Sequence, residues 1–170
     1  MKLTRRNWFV LASGFVATMS AGRVFARSSV IKVSLWDKGA TFMNMLGHGE
    51  MMGMGTGKAV NTMPMAPSGI RLSSHTVSAG EVTFDVTNTS KQMVHEMVIS
   101  PVKDGKTPLP YDKAGNKVNE DEAGHLGEVA ELAPGKKGSL KLTLKPGSYI
   151  LYCNVPGHYA LGMWTLLTVK

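Results

Sequence analysis

Cys153, His158 and Met163 follow the pattern C-x4-H-x4-M within Tyr149-Ile150-Leu151-Tyr152-Cys153-Asn154-Val155-Pro156-Gly157-His158-Tyr159-Ala160-Leu161-Gly162-Met163. A thiolate, an imidazole and a thioether are soft to borderline donors, and together they suit a redox-active transition metal. Two imidazoles and a thiolate in one plane, with a weak axial thioether, hold copper between the geometries its two oxidation states prefer. Little then has to move when one electron arrives or leaves. The second imidazole must come from elsewhere in the chain. His95, in Val94-His95-Glu96-Met97-Val98-Ile99, is the candidate, 58 positions before Cys153. Each residue also has a plainer reading. A lone Cys on an apolar strand is commonly a small buried hydrophobe, a strand histidine beside a glutamate is often structural, and Met fills irregular core gaps. Asn154 and the backbone around His95 are candidates for hydrogen bonds to the sulfur, which would tune the potential from outside the ligand set.

The elements that must position these side chains read as β-structure. Short β-branched and aliphatic runs recur between Gly, Pro, Asn and Ser. The pattern predicts strands near Val30–Trp36, Ile70–Val77, Glu81–Asn88, Met93–Ser100, Leu126–Leu132, Gly138–Leu144, Ser148–Cys153 and Met163–Val169. Val82, Phe84 and Val86 share one face, as do Leu140, Leu142 and Leu144. Ala79-Gly80, Pro134-Gly135 and Pro146-Gly147 supply turns. About eight strands of this kind imply an all-β, two-sheet Greek-key β-sandwich. The loop from Cys153 to Met163 leaves one strand and returns on the next, so its three donors can converge at one end of the sandwich. Residues 37–68, rich in Gly and Met, read as a long irregular excursion. Residues 101–125 read as a solvated connection with a short helical turn around Asn119–Ala123.

The chain has 170 residues, enough for one domain with a sizeable core plus additions. Residues 1–26 read as an export signal: Lys2, Arg5 and Arg6, then an apolar stretch from Trp8 to Met19, then Val24-Phe25-Ala26 with small residues at the cleavage positions. Thr4-Arg5-Arg6-Asn7-Trp8-Phe9 is similar to a twin-arginine signal, which exports folded proteins; ordinary secretion and an N-terminal anchor helix are the alternatives. Residues 27–68 then hold the first strand and the Met-rich segment, and residues 69–170 the sandwich core. The net charge of +7 is largely the signal's, since four of the nineteen Lys and Arg and none of the twelve acids lie in residues 1–26. The remainder carries no Arg cluster or basic stripe with interleaved aromatics, so nucleic acid is not expected as a partner. No apolar run approaches the roughly 20 residues that span a bilayer, so stable membrane insertion is not expected.

Cysteine is used once and methionine twelve times. One cysteine excludes an internal disulfide and any all-cysteine metal site. Seven of the twelve methionines lie in residues 43–65, including Met43, Met45, Met51, Met52 and Met54, with His48 among them. Thioethers select Cu(I), and in an oxidising compartment they avoid the disulfide chemistry a thiol invites. Met43, Met45, His48, Met51, Met52 and Met54 are therefore a candidate second site for additional Cu(I). The plainer reading is a loop packing methionines onto the sandwich. Gly53-Met54-Gly55-Thr56-Gly57-Lys58-Ala59 imitates a phosphate loop and fails, because Met52 and Ala59 occupy positions that require Gly and Ser or Thr.

His95-Glu96, Pro146-Gly147, Tyr152-Cys153, Pro156-Gly157-His158 and Gly162-Met163 together resemble the cupredoxins, over roughly residues 69–170. The resemblance implies a cupredoxin-like sandwich in which His95, Cys153, His158 and Met163 bind one type 1 copper, with ligand spacing closer to rusticyanin and auracyanin than to plastocyanin. Ser34-Leu35-Trp36-Asp37-Lys38-Gly39, the Met-rich segment and His125-Leu126-Gly127-Glu128-Val129 are similar to periplasmic cupredoxins associated with bacterial copper tolerance. That implies a periplasmic, monomeric copper protein acting in copper tolerance, with a redox or copper-handling partner docking near His158. His125 could support the ligands or be merely polar, and His75 suits a surface strand edge. A dedicated electron carrier between respiratory partners is the alternative. An oxidase with a trinuclear copper cluster would need His-x-His pairs, and none of the five histidines are two apart, so an enzyme is not expected.

Overall fold

The structure is a computed structural model that describes residues 28–41 and 66–170. The export segment and the candidate second site at Met43, Met45, His48, Met51, Met52 and Met54 lie outside the described residues. The described strands are β1 Ser29–Asp37, β2 Ser68–Leu72, β3 Thr76–Val77, β4 Gly80–Asn88, β5 His95–Val102, β6 Tyr111–Asp112, β7 Lys117–Val118, β8 Gly127–Leu132, β9 Lys137–Leu144, β10 Gly147–Tyr152 and β11 Trp164–Val169. A short helix, α1, spans Glu120–Ala123.

Two sheets face each other. One has the order β2-β1-β4-β9 and the other β3-β11-β10-β5-β8. The chain changes sheet from β4 to β5, from β8 to β9 and again from β9 to β10, the crossing habit of a Greek-key sandwich. Alternation works as expected on the inner faces. Ile31, Val33 and Leu35 of β1 and Val82, Phe84 and Val86 of β4 meet Met97 and Ile99 of β5 and Tyr149 and Leu151 of β10. At Gly138 a Cβ would collide with Cγ1 of Val129, so glycine lets β9 come this close to β8.

All eight expected strands are present, with two revisions. The run Ile70–Val77 is divided between β2 and β3, which join different sheets; β2 pairs antiparallel with β1 and β3 pairs parallel with β11. The connection over residues 101–125 is not simply solvated. It carries the β6–β7 hairpin and α1, and its Leu109, Val118 and Ala123 are buried against Val98, Ile150, Tyr152, Tyr159 and Trp164. The five-stranded sheet is thus covered on both faces. That explains why Met97-Val98-Ile99 is continuously apolar where a one-sided strand would alternate. The helical turn falls where expected, with Asn119 as its N-cap accepting from the Glu122 N–H, and Gly124 in the left-handed conformation closing it.

Candidate metal centre

The centre forms where β10 ends beside the start of β5. These strands are antiparallel neighbours with Tyr152 opposite Val98, so Cys153, the residue after β10, arrives next to His95 and Glu96. Backbone bonds fix the loop that follows. The Cys153 N–H donates to Met163 O at 3.0 Å, the Met163 N–H to His158 O at 3.0 Å and the His158 N–H to Val155 O at 2.9 Å. The Gly157 N–H donates to Asn116 O at 2.8 Å, tying the loop to the β6–β7 hairpin. Gly157 has φ +83°, and a Cβ there would press to 3.2 Å from Asn116, so Pro156-Gly157 makes a turn that other residues would strain.

Three of the four expected donors converge. His95, Cys153 and His158 each bring one ligand atom, and these atoms all lie within 4.8 Å of one another. Nδ1 of His95 is 3.2 Å from Nδ1 of His158, and the Cys153 sulfur is 3.3 Å from Nδ1 of His158 and 3.9 Å from Nδ1 of His95. These separations suit donors that reach one ion from about 2 Å each. Cys153 and His95 are fully buried and His158 is 4% exposed. Met163 is fully buried in the same apolar cluster as Cys153 and is joined to both Cys153 and His158 through its backbone. The donor set fits copper: one soft thiolate with two imidazoles in a buried pocket.

Electrostatics keep these donors neutral. Burial pushes the Cys153 thiol up to about 12, against the backbone N–H groups of Glu96 and Val155, which favour the thiolate. Burial, and then the neighbouring His95, push His158 down to about 4. His95 is also held below its ordinary value by burial, with Asp37 opposing. Glu96, beside these donors, is raised to about 7 by burial; Lys117 opposes this and Glu120, Glu128 and Glu131 add to it.

The hydrogen bond to sulfur comes from the Glu96 N–H at 3.5 Å. The β5–β8 register shifts between His95 and Met97, which takes the intervening Glu96 amide out of the ladder and leaves it for the sulfur. The backbone around His95 thus acts as expected. Asn154 does not: its side chain accepts from the Val118 N–H at 2.7 Å and donates to Val118 O at 3.1 Å and to Glu120 Oε1 at 2.6 Å. It anchors the covering hairpin instead of the sulfur. His75 bonds Leu166 O at 2.9 Å from an exposed edge, and His125 is exposed, so neither joins the cluster. Sequence reasoning missed Asp37, whose Oδ2 lies 2.7 Å from Nε2 of His95. It stands 58 residues before His95, at the end of a strand in the opposite sheet, within the Ser34–Gly39 segment that the sequence marked only by resemblance.

Residues 50–170 match the family of copper binding proteins, plastocyanin/azurin family. Among solved structures, the chain is similar to rusticyanin from Thiobacillus ferrooxidans, with 16% identity over 84% of this chain and 77% of that one at a TM-score of 0.53. It is also similar to dithionite-reduced auracyanin from the photosynthetic bacterium Roseiflexus castenholzii, with 23% identity over 58% of this chain and 86% of that one at a TM-score of 0.43. The rusticyanin likeness agrees with the fold. No curated protein sequence matches the chain. Among the described residues, no helix is long and apolar enough to cross a membrane. The chain belongs to the plastocyanin/azurin family of copper-binding electron-transfer proteins, the cupredoxins, and its buried His95, Cys153 and His158 cluster suits one type 1 copper.

Proposed function

We propose that His95, Cys153 and His158 are the ligands of that copper, with Met163 as the weak fourth donor, and that the protein serves copper tolerance in the periplasm. The observation that carries this reading is the meeting of two Nδ1 atoms and one thiol sulfur within 4.8 Å in a buried pocket. Copper bound there supplies a one-electron couple. The chain's own residues keep the geometry fixed between oxidation states: the 153–163 loop is pinned by its backbone bonds, and the Glu96 N–H holds the sulfur. A buried pocket with little freedom to rearrange favours fast electron exchange.

The tolerance role rests on the seven methionines of residues 43–65, soft donors suited to Cu(I). The second reading, a dedicated electron carrier, is favoured by the surroundings of His158. Pro156 is exposed and Ala160 and Leu161 are half-buried there, an apolar rim suited to brief docking of a partner. The test is copper stoichiometry with an absorption spectrum. The protein is expected to take up one copper with an intense thiolate-to-Cu(II) band, and Cys153→Ala to abolish the band. A band that survives the substitution overturns the ligand assignment.

A further inference from the structure

We propose that Asp37 is a positioning residue for His95, and that its carboxylate charge biases the centre toward the oxidised ion. The proposal rests on the reading of His95 as a ligand. Nε2 of His95 and Oδ2 of Asp37 are 2.7 Å apart, with side-chain exposures of 0% and 2%. A carboxylate only accepts, so the imidazole proton sits on Nε2. A ring nitrogen binds a metal through a bare lone pair, so with the ring proton on Nε2 the donor atom is Nδ1. Nδ1 is the atom that faces His158 and Cys153. The contact therefore selects both the tautomer and the ring orientation that a ligand needs.

Asp37 is itself held. Its Oδ1 accepts the Gly39 N–H at 2.6 Å, and the Ser90 hydroxyl adds a hydrogen bond. The Ser90 oxygen already accepts the Gln92 and Met93 N–H groups, so its own proton is free for the carboxylate. The Gly39 N–H on Oδ1 and the His95 Nε2–H on Oδ2 give both oxygens donors, the environment of a carboxylate. A negative charge on the far nitrogen makes the imidazole a stronger donor, which favours the ion of higher charge.

Asp37→Asn tests this, because the carboxamide oxygen can still accept from Nε2–H while the charge is gone. The expected result is a higher reduction potential. An approximately tenfold loss of preference for the oxidised ion is about 59 mV for one electron. Asp37→Ala removes both functions, and nitrogen NMR of the metal-free protein is expected to show His95 losing its pure Nε2–H tautomer. If Asp37→Asn changes the oxidised-to-reduced affinity ratio by less than about twofold, or Asp37→Ala leaves the tautomer unchanged, the proposal is overturned. His95→Ala separates the two claims. An intact visible band in that variant removes His95 from the ligand set. Its loss, beside an unaltered potential in Asp37→Asn, overturns the role of Asp37 alone.

Discussion

The Cys153 sulfur lies 3.3 Å from Nδ1 of His158, and the two groups are pushed in opposite directions, the thiol to about 12 and the imidazole to about 4. At neutral pH the metal-free pair is therefore an uncharged thiol beside an uncharged base. Copper capture must expel the thiol proton and no proton from His158. Affinity is expected to rise about tenfold per pH unit between about pH 5 and 8. Below about pH 4 the slope steepens, because a proton on His158 then competes as well. Competition with a Cu(I) chelator at stepped pH checks this, and a flat profile would show that Cys153 does not bind as a thiolate.

Replacing the second imidazole should leave a usable hole. His158→Gly is expected to lose the native absorption band and to recover a similar one on addition of free imidazole. His158 is buried at 4% exposure beside exposed Pro156, so a small base can enter where the side chain stood. An absence of any spectral response to imidazole would argue against His158 as a ligand.

Asn154 gives a stability change without a spectral one. Asn154→Ala strips the buried Val118 N–H and C=O of their partners and frees Glu120. A loss of about 2 kcal/mol is expected from unsatisfied buried groups, seen as a lower urea midpoint. The position of the copper band should hold, since the sulfur receives its bond from Glu96. A shifted band with unchanged stability would restore Asn154 to the sulfur.

At Gly138 the limit is space. Gly138→Ala makes a Cβ collide with Val129 Cγ1, and overpacking of this kind costs about 1–3 kcal/mol. Combining it with Val129→Ala should recover part of that loss, because the offending methyl is gone. A double variant less stable than the sum of the two singles would show that the strain lies elsewhere.

Deleting residues 43–65 separates the two biological roles. Lower Cu(I) stoichiometry and lower copper tolerance, with the visible band intact, are expected if the methionines bind the metal. Unchanged tolerance would favour the carrier.

The Cys153 and His158 donors were legible because local spacing alone brings them together, and Met163 closes the same strand–loop–strand unit. His95 needed the expectation of a neighbouring strand, which the Val94–Ile99 run supplied. The segment holding Asp37 stood out by resemblance, but its contact with His95 was illegible, since that is decided by how two sheets pack. The β6–β7 hairpin escaped notice because two-residue strands are too short to alternate. Asn154 misled because a polar residue beside a ligand invites a ligand role, whereas its bonds go to Val118 and Glu120, more than thirty residues away. The division of Ile70–Val77 was signalled only by Ser73-Ser74-His75, a polar break inside an otherwise strand-like run.

Asp37 belongs to the four-stranded sheet and His95 to the five-stranded one, so their 2.7 Å contact is a rivet across the sandwich. An ion that immobilises His95 also clamps the two halves together, and metal capture and closure of the fold become one linked equilibrium. Binding to the folded chain alone stabilises by about 2.7 kcal/mol when free metal exceeds the dissociation constant a hundredfold. Without metal, the folded chain is expected to open more often along this seam, and limited proteolysis of metal-free and copper-loaded protein measures it.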